Sequence, residues 1–155
     1  MIEQRLFTTP QTETTSDDYY TPKWIFDTLG LHFDLDVASP PHKTNVPCDR
    51  YFTQADDGLA QDWHGRIFMN PPFSHSEKWV DRWIKHGNGI ALLPLVKNTG
   101  WGTKLWNSNA AVHFPSFEMK FEKDGKDNQR IWPPVWLWAI GDDNIKALRK
   151  FGTLR

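Results

Sequence analysis

The chain has 155 residues, 39% hydrophobic and 24% charged, which suits one domain with a real core. Its 18 basic and 19 acidic residues give a net charge of −1, not the strongly basic balance of a protein that stays on nucleic acid, although a transient visit needs only a local basic patch. A lone Cys48, six scattered His with no Cys-x-x-Cys pair, and no apolar run near the roughly 18 residues of a membrane span argue against disulfide, metal and membrane, and for a soluble protein in the cytoplasm.

Residues 1–18 are polar, without apolar period, and read as a flexible lead-in to a single domain over 19–155. Thr21-Pro22 resembles a helix start, with Thr21 as cap and Pro22 at the first helical position; Trp24, Ile25, Thr28 and Leu29 share a face, and Gly30 is the stop. Phe33 to Val37 is a short strand candidate interrupted by Asp34 and Asp36. Of the two, Asp36 lies nearer the strand's end and is the functional candidate, leaving Asp34 as a solvent-facing or capping carboxylate. The polar, proline-studded stretch 38–50 reads as a loop, and 51–65 has weak periodicity.

Ile67-Phe68-Met69 fits a buried strand that stops at Asn70-Pro71-Pro72-Phe73, because consecutive prolines cannot continue a ladder. Ser74 to His86 reads as an amphipathic helix, with Trp79, Val80 and Trp83 inside and Lys78, Arg82 and Lys85 outside. Ile90 to Leu95 is another buried strand, and 97–109 a loop or short helix. Strand-like runs follow at Ala111–Phe114, Glu118–Phe121 and Val135–Ile140, with a charged loop at Glu122–Arg130. The pattern predicts a three-layer α/β fold with antiparallel pairing at one edge near the C-terminus.

The chemistry concentrates in Asn70-Pro71-Pro72-Phe73, because open α/β sheets bind ligands at the carboxyl ends of their strands. An amine conjugated with a heteroaromatic ring is a poor nucleophile. Two acceptors on its N–H bonds draw it toward tetrahedral geometry and free its lone pair. The Asn70 side-chain oxygen and the Pro71 carbonyl can form that pair, and the two prolines hold it in place beforehand. Phe73 offers a ring on which an extruded base can stack. The plainer reading is a tight turn after a strand.

The segments that precede the tetrad weigh against a mere turn. Thr21-Pro22, Phe33-Asp34-Leu35-Asp36-Val37-Ala38-Ser39, Asn45, Cys48, Asp57-Gly58-Leu59 and Trp63 occur in order before it, and Leu92-Leu93-Pro94, Trp101 and, as a weaker match, Glu118-Met119-Lys120-Phe121 after it. This resembles the phage-type Dam family of DNA N6-adenine methyltransferases over roughly residues 17–140. The resemblance implies a compact Rossmann-like methyltransferase fold, S-adenosylmethionine as cofactor, and transfer of its methyl group to adenine N6 in DNA, a transient partner. It implies no metal, and a bacterial host cytoplasm if the gene is phage-borne. Thr21 and Pro22 would lie near the methionine end of the cofactor, Asp36 at the acidic position of the first cofactor-binding strand, and Asp57 and Leu59 near the adenosyl group. Asn70, Pro71, Pro72 and Phe73 would form the catalytic loop.

Two departures stand out. Ala38-Ser39-Pro40-Pro41 replaces the usual glycine-rich wrap, and little chain separates Asp36 from Asn70, so the cofactor region is compressed. Lys78, Arg82 and Lys85 have the helical spacing to track a phosphate backbone, with a solvated face as the other reading. His75 near the loop is not needed as a general base, since water can take the proton from a methylated amine, and Cys48 reads as a small buried hydrophobe. The length leaves no room for a separate target-recognition domain. Two other functions stay open at this point: an N4-cytosine or other amino methyltransferase, and a non-catalytic DNA- or protein-binding module with a degraded cofactor site.

Overall fold

The computed structural model describes residues 21–41, 44–94, 100–114, 120–123, 126–130 and 135–155, so the expected N-terminal lead-in lies outside the described residues. Helix α1 (Lys23–Leu29) follows Pro22, whose extended backbone (φ −63°, ψ 141°) takes the cap position, and ends at Gly30 in the left-handed region. The expected start is thereby corrected by one residue. Pro22, not Thr21, precedes the first turn and accepts the Ile25 N–H at 3.1 Å, so Thr21 is left for other partners.

Strand β1 (Phe33–Asp36) pairs in parallel with β2 (Cys48–Tyr51), which falls in the stretch expected to be a loop. The side chains of β2 are mostly exposed at the sheet edge, so no apolar alternation marked it; backbone pairing with β1 makes the strand. Two 3₁₀ turns, Gln54–Asp56 and Gly58–Ala60, lead to β3 (Ile67–Met69), buried throughout. A 3₁₀ turn at Phe73–His75 then precedes helix α2 (Ser76–His86), so the helix starts two residues later than its periodicity predicts.

Strand β4 (Gly89–Pro94), helix α3 (Gly100–Trp106) and strand β5 (Ala111–His113) follow. Strands β6 (Lys120–Lys123) and β7 (Lys126–Arg130) form an antiparallel pair, which corrects the charged loop expected over 122–130. Strand β8 (Val135–Ile140) leads to helix α4 (Asp142–Leu148), an element the sequence reading did not anticipate. Its signal was a glycine followed by two acidic residues in the first turn, where a helix favours negative charge.

The main sheet has the order β2-β1-β3-β4-β8-β5. Its first four strands are parallel, and β8 runs antiparallel between β4 and β5. Antiparallel pairing at one side was expected, but β8 lies inside the sheet and only β5 is the edge. The reason is packing: β8 alternates residues between both cores, with Leu137 and Ala139 on one face and Trp138 and Ile140 on the other. On the first face lie α1 and α4 through Ile25, Phe26, Leu29, Ala147 and Leu148; on the second, α2 and α3 through Trp79, Val80, Trp83 and Leu105. The result is a three-layer α/β arrangement.

Candidate active site

The strand order reverses between β1 and β3: one continues outward to β2, the other to β4. Such a switch point opens a crevice beyond the carboxyl ends of the strands. Asp36 ends β1 and Asn70 follows β3 at neighbouring positions of this rim, since Asp36 pairs with Phe68. The loop after β3 was the expected catalytic element, and it lies at this crevice.

Asn70 is half-buried, and its Nδ2 donates to the Thr21 hydroxyl at 3.3 Å. That bond engages the nitrogen end of the amide, and Oδ1 is the other end. Pro71 is buried, and Pro72 (φ −56°, ψ 121°) turns the chain, its carbonyl taking the His75 N–H at 3.1 Å. Phe73 is half-buried with its ring against the α1-side core, so part of its surface is committed to packing. Ser74 and His75 are exposed and bonded to one another at 2.9 Å.

Thr21 is 2% exposed. Its hydroxyl meets Asn70, and its carbonyl accepts from the Asn45 side chain. Asn45 follows Thr44, whose hydroxyl donates to Asp36 Oδ2 at 2.6 Å and accepts the Val46 N–H at 3.0 Å. Asp36 Oδ1 takes the Ala38 N–H at 3.2 Å. One carboxylate thus grips both ends of the connection between β1 and β2. Burial raises the Asp36 pKa to about 6, against the lowering effect of the Thr44 and Ala38 hydrogen bonds. Thr44 was not singled out from the sequence, and Asn45 only through the resemblance. Their signal was two short polar residues in a row beside prolines, which serve a turn equally well.

Cys48, next along the chain, has its pKa pushed up to about 11, first by burial and then by the Asp36 charge. It stays a thiol and packs against the α1-side core, half-buried rather than buried as expected, because β2 is the sheet edge. Asp34 is placed apart from the site: its Oδ2 accepts the Arg66 N–H at 2.7 Å, at the other end of the sheet.

Asp57, exposed, has a left-handed backbone (φ 54°) and leads into the Gly58–Ala60 turn. Gly58 lies so close to the end of β1 that a Cβ there would come within 2.1 Å of the Val37 carbonyl. The Asp57–Leu59 turn therefore sits against the last residues of β1, with Leu59 half-buried on the α2-side core. Pro22, half-buried, is set beside Thr21.

The three basic residues of α2 do not share one role. Lys78 and Lys85 are exposed. Arg82 is half-buried; its guanidinium donates to the Leu59 and Gln61 carbonyls and lies 4.4 Å from the Trp63 ring centroid. Helical spacing placed it on the outer face with the lysines, but these partners bind it to the 58–63 segment. Among the described residues no group of three His, Cys, Asp or Glu could hold a metal, and no helix is long and apolar enough to cross a membrane.

No curated protein and no solved structure matches the chain. Over residues 8–128, however, it matches the family model described as Dam, DNA N-6-adenine-methyltransferase, a span that includes the crevice, the Thr21–Asn70 contact and the Asn-Pro-Pro-Phe loop, and the chain belongs to that family.

Proposed function

We propose that the chain transfers the methyl group of S-adenosylmethionine to adenine N6 in DNA, on a Rossmann-like methyltransferase fold. The observation that carries this is the Asn70 amide beyond the carboxyl end of β3 at the switch point, where its Nδ2 is bonded to Thr21 and Oδ1 is the end offered to a substrate. The sheet order supports the fold, since β1 and β3 part at the point where nucleotides bind in doubly wound sheets. The donor set suits the cofactor. Asp57, an exposed carboxylate after β2, and Leu59 beside it would lie near the adenosyl group. Pro22 borders the methionine end, beside the buried Thr21. Buried Asp36 serves by holding the loop that stands where a glycine-rich wrap would be expected.

When bound, S-adenosylmethionine supplies an electrophilic methyl on a sulfonium. The protein's part is to prepare the nucleophile. Asn70 Oδ1 and the Pro71 carbonyl accept the two N–H bonds of the amine, and its lone pair turns toward the methyl carbon. Attack on that methyl would release the demethylated cofactor and leave the nitrogen with one proton too many, which water would take. The two prolines stiffen the backbone that carries both acceptors, which limits reorganisation at the moment of reaction. Pro72 shapes the turn, and the exposed part of Phe73 stacks on the extruded base. Lys78 and Lys85 meet the phosphate backbone.

Unmethylated DNA incubated with the protein and S-adenosylmethionine should yield N6-methyladenine by mass-spectrometric nucleoside analysis, and Asn70→Ala should slow it by about 10²–10³ with the melting temperature unchanged. N4-methylcytosine as the product would reassign the base. The replaced glycine wrap favours one second reading, a binding module without catalysis. Under that reading the demethylated cofactor would not raise the melting temperature at millimolar concentration, where mass action would otherwise stabilise the fold.

A further inference from the structure

We propose that Thr21 is a positioning residue for Asn70: its hydroxyl holds the amide nitrogen inward and thereby fixes the amide oxygen, rather than the nitrogen, at the substrate amine. The inference rests on the reading of Asn70 as an acceptor and adds what makes it one. The two ends of a carboxamide have almost the same shape, and only the hydrogen bonds around them decide which end points where. With the nitrogen outward, Asn70 would present N–H bonds to the N–H bonds of the substrate, and one of the two acceptors would be lost. With the oxygen outward, the nitrogen needs an acceptor on the protein side, in a half-buried position. The Thr21 hydroxyl, 3.3 Å away, is that acceptor.

Thr21 is itself held. It is 2% exposed, its carbonyl is bonded by Asn45, and the neighbouring Thr44 is tied to Asp36 at the end of β1. Asn70 is thus braced through Thr21 and the residue pair Thr44-Asn45 against the strand next to its own. This differs from the role implied by resemblance, in which Thr21 borders the cofactor. A residue so enclosed, with its hydroxyl on Asn70, acts through Asn70.

The test compares Thr21→Val, which keeps the volume and removes the hydroxyl, with Thr21→Ser, which keeps the hydroxyl. Single-turnover methylation is measured at saturating DNA and S-adenosylmethionine, alongside the KM for cofactor. Thr21→Val should lose about tenfold to a hundredfold in rate, the scale of one polar group left unpaired. Thr21→Ser should recover most of that loss, and the cofactor KM should stay at the wild-type value in both. Combined with Asn70→Ala, Thr21→Val should add no further loss, because its effect passes through the missing amide. Should Thr21→Val fold poorly, Asn45→Ala loosens the brace from the backbone side and should lower the rate without changing the cofactor KM. A wild-type rate in Thr21→Val, a defect confined to the cofactor KM, or an additive double variant would each overturn the inference. Full activity in Asn70→Ala would instead remove the catalytic reading beneath it.

Discussion

Each end of the sheet carries a polar cluster built around an aspartate and two asparagines, yet the two come to opposite uses. At the amino end, Arg66 donates to Asn144 Oδ1 at 2.7 Å, and its backbone N–H donates to Asp34. Asn144 is 1% exposed, and its Nδ2 reaches Asn88 at 2.7 Å and the Ile140 carbonyl at 2.8 Å. There the side-chain bonds tie β1, β3, β4 and β8 together. At the carboxyl end, Asp36, Thr44, Asn45, Thr21 and Asn70 link up in the same manner, but the chain of bonds ends at the Asn70 amide nitrogen, and Oδ1 is the acceptor that the proposed mechanism uses. A network that closes on itself makes a fold; one that stops short by one acceptor makes a site.

Three measurements would sharpen or break that contrast. The largest effect concerns Asp36, whose pKa in the fold is about 6 against an ordinary 3.8. The fold therefore favours the protonated carboxyl. Its contribution is complete below about pH 4 and is lost as pH rises through about 6, a difference of about 3 kcal/mol. Asp36→Asn, neutral at every pH, should melt higher than wild type at pH 7–8 and converge with it near pH 4. Parallel curves across that window would mean that Asp36 ionises freely.

Next is Asn144→Ala, which strands buried partners at the closed end and should cost about 1–3 kcal/mol in chemical unfolding. The methylation rate of the folded protein should not change; a lower rate would mean that the ends are coupled. The smallest effect separates the basic residues of α2. Replacing Lys78 and Lys85 should flatten the dependence of DNA affinity on salt by roughly 0.9 in log–log slope for each phosphate no longer neutralised, with stability unaltered. Arg82→Gln should do the reverse and lower stability, because it releases the carbonyls of Leu59 and Gln61.

What the sequence made legible follows the same line. Ile67–Met69, Ile90 to Pro94 and Val135 to Ile140 are strongly apolar, and all three are core strands. The Asn-Pro-Pro-Phe loop announced itself because two prolines end a strand wherever they fall. Strand β2 was hidden, since Cys-Asp-Arg-Tyr has no apolar rhythm and owes its conformation to β1. Arg82 was misplaced by a rule that sees helical spacing but not the carbonyls of a distant turn. The Thr21–Asn70 contact was beyond reach too: it joins residues far apart in the chain, and only the fold brings them to 3.3 Å.

The reversed direction of β8 has one more consequence. Because β8 runs against its neighbours, its first residue pairs with Pro94 at the carboxyl end of β4, and β5 finishes at that same end. The rings of Phe114 and Trp136 mark the spot, meeting edge-on with centroids 4.1 Å apart. The sheet is thus left after Phe114 and rejoined at Val135 at the end where Asn70 lies. The reversal works as a port: a segment lengthened there would change what approaches Asn70, while every strand of the six keeps its place.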